Sequence, residues 1–254
     1  MTPPPTASLF LLRGLAREVR HWGSFVEHLE NAPYTSRVIA MEVPGAGEFC
    51  DQNSPTAIQE YVTYLRQRYS QHLQPGGHTL LLGLSLGGMV AAQWLHNHPS
   101  DFSGGVIINS SARPSPFHQR LRPGGAGQLL ASALSRNLYN REKRIADCVC
   151  NLADTEKVAR RWAAIAAEAP ISRRNVLRQL FAAATFILPD KPEVPTLILN
   201  SEKDRLVAPQ CSQDLANQWQ SQLICHYRAG HDLTTDDPAW CVDQIGEWIR
   251  LVFC

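Results

Sequence analysis

Apolar positions along this 254-residue chain follow two alternating patterns. Short unbroken runs at 8–14 (SLFLLRG), 36–47 (SRVIAMEVPGAG), 78–83 (HTLLLG) and 104–111 (GGVIINSS) predict buried strands that close in a polar or glycine turn. Between them, apolar residues recur at helical spacing. Trp22, Phe25, Val26 and Leu29 follow i, i+3, i+4, i+7, and Ile58, Tyr61, Val62 and Leu65 form a second stripe behind Ser54-Pro55, which reads as N-cap and first helical residue. The segment 86–95 predicts a helix directly after the third strand. From 113 to 186 the alternation stops and only helical stripes remain, among them Val158, Trp162, Ile165 and then Val176, Leu177, Leu180, Phe181. Strand–helix alternation resumes with strands at 195–202 and 222–228 around a helix at 209–220. A last helix carries Cys241, Ile245, Trp248, Ile249 and Val252 behind Asp237-Pro238. The expected architecture is α/β, with a mostly parallel sheet of about six strands flanked by helices. A core of 1–112 and 187–254 is interrupted by a helical insertion at 113–186.

Composition adds little to this, but charge does. Hydrophobic residues make up 44% and charged residues 19% of the chain, an ordinary globular balance. The net charge of +1 conceals a basic insertion: 113–178 holds 13 Lys and Arg against 5 Asp and Glu. The start, MTPPPT, lacks the basic and apolar regions of a secretory signal. No apolar run approaches the ~18–20 residues of a membrane helix. The 7 cysteines are scattered without a CxxC pair, so free thiols in a cytoplasmic protein are expected, with neither zinc site nor redox pair.

GLSLG at 83–87 fits G-x-S-x-G, in which a serine sits on a tight strand-to-helix turn. Residues two positions to either side must be tiny to clear the turn. The Ser85 Oγ is then lifted off the sheet, and the Leu86 N–H with the positive end of the following helix faces any developing negative charge. Chance alone gives about 0.1 such matches in a chain this long, so the strand–helix setting carries the signal. A serine hydroxyl needs a base and an orienting carboxylate. Asp204 lies just beyond the strand at 195–202 and His231 just beyond the strand at 222–228. In an open parallel sheet the carboxyl ends of the strands share one rim, so all three residues are expected there.

Over nearly its whole length, through GLSLGG, NSEKDRLV, AGHDL, DDPAWCVDQIGEWI and LLRGLAREVRHW, the chain resembles the α/β-hydrolase superfamily. It looks most like small bacterial esterases with a helical cap, including the pimeloyl-carrier methyl esterase type. The resemblance implies Ser85 as nucleophile, Asp204 as acid, His231 as base, and an oxyanion hole from the backbone N–H groups of Leu15 and Leu86. One departure stands out: Arg13-Gly14 occupies the place where the family usually has His-Gly.

Other candidates have plainer readings. His96 and His98 are i, i+2 and do not face one ligand. His21 belongs to the first helix as a structural residue, and Asp236 and Asp237 read as caps. Asp190 and Asp232 lack the strand-end position. The glycines at 45, 47, 124, 125 and 127 lack a dinucleotide-binding context, and no P-loop occurs, so no cofactor is expected. The basic insertion lacks the aromatic interleaving of a nucleic-acid surface. Three functions compete: hydrolysis of a small carboxylic ester or thioester by an acyl-enzyme, acyl transfer or carbon–carbon cleavage with the same triad, and binding without catalysis. The substrate is expected to be a small molecule, and the basic insertion, together with Arg13 and Arg17, would favour an anionic or carrier-linked one.

Overall fold

A computed structural model describes residues 6–73 and 77–253; most of the Pro-rich start, residues 1–5, lies outside them. The chain runs through β1 (Ala7–Leu12), α1 (Ser24–Glu30), β2 (Thr35–Met41), α2 (Ile58–Tyr69), β3 (His78–Leu84), α3 (Leu86–Asn97) and β4 (Gly104–Ile108). Five helices follow before the next strand: α4 (Phe117–Arg120), α5 (Pro123–Leu134), α6 (Leu138–Val149), α7 (Thr155–Glu168) and α8 (Arg173–Thr185). The chain closes with β5 (Thr196–Ser201), α9 (Pro209–Trp219), β6 (Gln222–His226), α10 (Leu233–Asp236) and α11 (Pro238–Phe253). All strand pairs are parallel, in the order β2-β1-β3-β4-β5-β6.

Helices cover both faces of this sheet, so its central strands are apolar without a break. Successive side chains still point to opposite faces. Phe10, Leu12, Leu81, Ile107 and Ile198 pack with Tyr61, Trp94 and Trp219 on one side. Leu9, Leu11, Leu80, Leu82, Val106 and Leu199 pack with Trp22, Phe25, Ile245 and Trp248 on the other. A smaller cluster of Ala146, Val149, Val158, Trp162 and Ile165 holds α6 against α7. Full burial of a large apolar side chain contributes roughly 1.5–3 kcal/mol. The helical segment leaves and rejoins the sheet at one point, where the Arg113 N–H donates to Phe186 O and the Leu188 N–H to Arg113 O, both at 3.0 Å. No helix of the described residues is long and apolar enough to cross a membrane.

Three local expectations change. Helix α2 begins at Ile58 with Ala57 as its N-cap, not at Ser54-Pro55. Ser54 is fully buried and spends its hydroxyl on Pro44 O at 3.0 Å, so it is unavailable as a cap. Trp22 belongs to a short 3-10 turn, separated from α1 by a kink at Gly23. On α8 half of the expected apolar stripe is turned outward: Leu177 is 66% and Phe181 59% exposed, Val176 and Leu180 are half-buried, and Asn175 and Gln179 are buried. What α8 meets explains this. The Ser54 N–H donates to Asn175 Oδ1 at 2.9 Å, and the Ala16 N–H to Gln179 Oε1 at 2.8 Å. Loop backbone groups withdrawn from water need polar partners, which Leu and Phe cannot supply.

Candidate active site

Ser85 joins β3 to α3 with φ 57° and ψ −116°, a conformation that L-residues rarely adopt. The surroundings enforce it. Added Cβ atoms at Gly83 and Gly87 would run into the Gly87 backbone and the Leu12 carbonyl respectively. We expect Gly87→Ala to destabilise the fold by about 3 kcal/mol, read from the urea midpoint, because backbone cannot yield as a side-chain tip can. Ser85 is half-buried, and its side chain makes no capping bond to α3, which leaves the hydroxyl free for other work.

The carboxyl ends of four strands are tied in sequence. Ser85 N–H donates to Ile108 O at 2.9 Å, Asn109 N–H to Leu199 O at 3.0 Å, and Glu202 N–H to His226 O at 2.9 Å. The loops beyond β5 and β6 bring Asp204 and His231 together, with Oδ2 and Nδ1 2.7 Å apart and both residues buried. The other carboxylate oxygen of Asp204 accepts from the N–H groups of Leu206 at 2.7 Å and Val207 at 2.9 Å. The carboxylate is thus held in one orientation, and among the described residues His231 Nε2 makes no hydrogen bond. Asn109, with φ 44°, locks this arrangement. Its Nδ2 donates to His231 O at 2.8 Å and Ser201 Oγ at 3.0 Å, and its Oδ1 accepts from Ser201 N–H at 2.8 Å. Sequence reading missed Asn109. A polar residue closing the apolar run VIIN at a strand end was the available signal.

The loop after β1 passes over Ser85: a Cβ on Gly14 would lie 3.2 Å from Ser85 Cβ. In the described residues neither the Leu15 N–H nor the Leu86 N–H donates to another protein group, whereas the Ala16 N–H is consumed by Gln179. The loops at Ser85 can therefore offer two unpaired N–H donors, on the same rim of the sheet as the buried imidazole–carboxylate pair.

Arg13 and Arg17, expected to favour an anionic substrate, are instead neutralised inside the protein. Arg13 is buried in an ion pair with Asp232, and Arg17 donates to Glu142 Oε2 at 2.8 Å with its guanidinium 4.2 Å above the Trp162 ring. Arg120 is also buried, donating to the carbonyls of Ala183 and Ala184 at the end of α8. Charge counted along the chain overlooks such internal neutralisation. The remaining candidates behave structurally. His21 packs at a tilt against Trp162 and its Nδ1 accepts from the Glu18 N–H; burial first, then the Arg17 and Arg13 charges, hold its pKa far below the ordinary histidine range. Asp237 caps α11 through Trp240 N–H at 3.1 Å. Asp236 instead accepts from the N–H groups of Asn151, Leu152, Ala153 and Gly230, which binds the insertion to the His231 loop.

A parallel six-stranded sheet with this strand-end site is the architecture of hydrolases that work from a sheet rim. The chain belongs to the alpha/beta hydrolase family, whose pattern it matches over residues 9–244. It is similar in fold to an esterase from Exiguobacterium antarcticum, with 17% identity, a TM-score of 0.77, and 97% of this chain and 93% of that one covered. A thermophilic esterase from Thermogutta terrifontis gives 19% identity and a TM-score of 0.74 over 99% of this chain and 92% of that one. An esterase from Rhodococcus sp. ECU1013 gives 17% and 0.74 over 97% and 91%. No curated protein sequence matches.

Proposed function

We propose that this hydrolase is a serine esterase of small carboxylic esters or thioesters working through an acyl-enzyme on Ser85. The observation that carries the reading is the buried Asp204–His231 pair, tied through Asn109 to the end of β4, whose Ile108 carbonyl accepts from the N–H of the strained, uncapped Ser85. In this mechanism Ser85 Oγ attacks the ester carbonyl carbon while its proton passes to His231 Nε2. Asp204 holds the imidazolium that results, and the carbonyl oxygen takes the negative charge against the Leu15 and Leu86 N–H groups. The intermediate collapses, and His231 returns the proton to the departing alcohol or thiol. Water then repeats the sequence, releasing the acid and restoring Ser85. Residues 113–186 act as a cap that roofs the acyl group over the core of 1–112 and 187–254. The six free cysteines among the described residues support a reducing, cytoplasmic setting. The test is a panel of p-nitrophenyl esters and acyl thioesters of graded chain length. Turnover of short esters is expected, and no hydrolysis anywhere in the panel would overturn the assignment. Turnover appearing only with an added alcohol or amine acceptor would point to acyl transfer instead.

A specific observation favours anionic substrates. A cavity of about 710 Å³ beside the Asp204 loop is lined by Arg122, Arg144 and Arg205 together with Gly124, Gly125 and Asp147. Arg122 and Arg205 donate only to carbonyl oxygens, and Asp147 is already paired with Lys143 at 2.6 Å. Arg122 and Arg144 of the insertion thus face this cavity together with Arg205 of the core, although neither Ser85 nor His231 lines it. We expect kcat/KM for an ester with a distal carboxylate to fall relative to a matched neutral ester as salt rises. Arg144→Glu should lower that ratio by about threefold, the scale of one exposed charge pair. Equal responses of both esters would remove charge from substrate selection.

A further inference from the structure

Arg13 directly follows β1 and opens the Leu15 loop, and Asp232 directly follows His231. Their side chains are 3% and 5% exposed and meet as a fork, Nη2 to Oδ2 at 2.5 Å and Nη1 to Oδ1 at 3.2 Å. Nη1 also donates to Thr234 Oγ1 at 3.2 Å. Asp232 Oδ1 accepts from Thr234 Oγ1 at 3.1 Å and the Thr235 N–H at 3.3 Å. Trp22 lies under the guanidinium carbon at 4.7 Å. Burial alone would raise the Asp232 carboxyl, but the Arg13 charge and the hydrogen bonds from Arg13, Thr235 and Thr234 outweigh it and hold it below its ordinary range. It is therefore an ion pair.

Stability does not explain such a pair. Taking each charge out of water costs several kcal/mol, and apolar residues of similar volume fill such a space as stably or better. What a two-bond fork supplies is a fixed distance and a fixed plane. Here it fixes two loops that otherwise meet through no common strand. One carries the Leu15 N–H two residues beyond Arg13; the other carries His231 one residue before Asp232.

We propose that Arg13 and Asp232 are a positioning pair that holds the oxyanion loop and the His231 loop at one fixed separation around the Ser85 hydroxyl. This rests on the esterase reading of Ser85, His231 and Leu15. The pair touches no reacting atom. It acts by keeping the donor that receives the oxyanion and the base that moves the proton aligned in the same transition state.

Removing one partner strands a buried charge and risks unfolding, so the deciding variant replaces both: Arg13→Met/Asp232→Leu. Its thermal midpoint should stay within about 5 °C of wild type. Its kcat on p-nitrophenyl butyrate should fall about 30-fold with KM within about twofold, since displacing a reacting geometry by about 1 Å costs up to ~10²-fold. The Ki of a trifluoromethyl ketone, which adds to the serine as a tetrahedral oxyanion, should rise by a similar about 30-fold. Inhibition by butylbenzene, which has no oxygen to place against those N–H groups, should hold steady. A folded double variant with wild-type kcat and ketone Ki, or with only KM raised, overturns the proposal. If the double variant does not fold, Arg13→Lys decides. It keeps the charge but loses the fork, so a wild-type kcat there overturns the proposal and a fall of about fivefold or more supports it. Failure of the esterase reading itself looks different, because wild-type protein would then neither turn over the ester nor form the ketone adduct.

Discussion

Ser85→Ala is expected to lower kcat on p-nitrophenyl butyrate by at least about 10⁴-fold while leaving the protein folded, with a stability change within about 1 kcal/mol. Both halves follow from the turn. The hydroxyl makes no capping bond that the fold would miss, and alanine preserves the Cβ, so the backbone at φ 57° is no more strained than before. In the proposed mechanism, however, the hydroxyl is the atom that forms the acyl bond, and no neighbouring group replaces it. Ser110 Oγ is turned away, donating to the Ser85 carbonyl at 2.8 Å. Any residual rate would come from water activated by His231 against an intact pair of N–H donors. Steady-state kinetics with active-site titration, beside urea unfolding, measures both. A variant that unfolds would show that the serine is chiefly structural, and one with wild-type turnover would remove it from the chemistry.

Asp204→Asn should cost about 10³-fold in kcat near neutral pH, and the hydrogen-bond geometry says why. The N–H groups of Leu206 and Val207 point at Oδ1, so the amide oxygen of asparagine must take that place. Its NH₂ is then left facing His231 Nδ1, where a carboxylate oxygen lies 2.7 Å away in the native protein. The ring has to accept at Nδ1 and carry its proton on Nε2, which turns the atom meant to receive the Ser85 proton into a donor. His231→Ala should be at least as damaging, about 10³-fold or more, but for the simpler reason that no base remains. Retention of more than a third of wild-type kcat by Asp204→Asn would show that another group orients the ring. The pH profile separates a wrong tautomer from unfolding, because the former should recover partly at high pH while the latter would not.

Both residues could be read from the chain because their positions depend on local pattern. A strand-ending apolar run followed by a polar loop places Asp204, the same pattern one strand later places His231, and the glycine spacing places Ser85. Alternation in the same way marks a mostly parallel α/β sheet of about six strands, whereas the order β2-β1-β3-β4-β5-β6 is set by long-range pairing. What could not be read depends on partners distant in sequence. The Arg13–Asp232 fork joins residues 219 positions apart and the Ala16–Gln179 bond spans 163. Nothing near Arg13 marks it as buried, because an arginine after a strand is ordinarily a surface residue. Helix α8 shows the converse. Its apolar stripe met every local criterion, yet only its end at Ala182 joins the core, and the loop backbone beside Asn175 and Gln179 turns Leu177 and Phe181 outward. Asn109 belongs to the same class: a residue whose value lies in joining strand ends that only the folded sheet brings together.

The central claim, a covalent acyl-enzyme chemistry on Ser85, is tested most directly by treating wild-type protein with a fluorophosphonate and sequencing the labelled peptides by mass spectrometry. One stoichiometric adduct is expected, on the peptide containing Ser85, forming at a rate that falls in parallel with esterase activity and slows sharply in His231→Ala. An unlabelled protein that still hydrolyses esters, or an adduct on any other residue with activity lost in step, would contradict it.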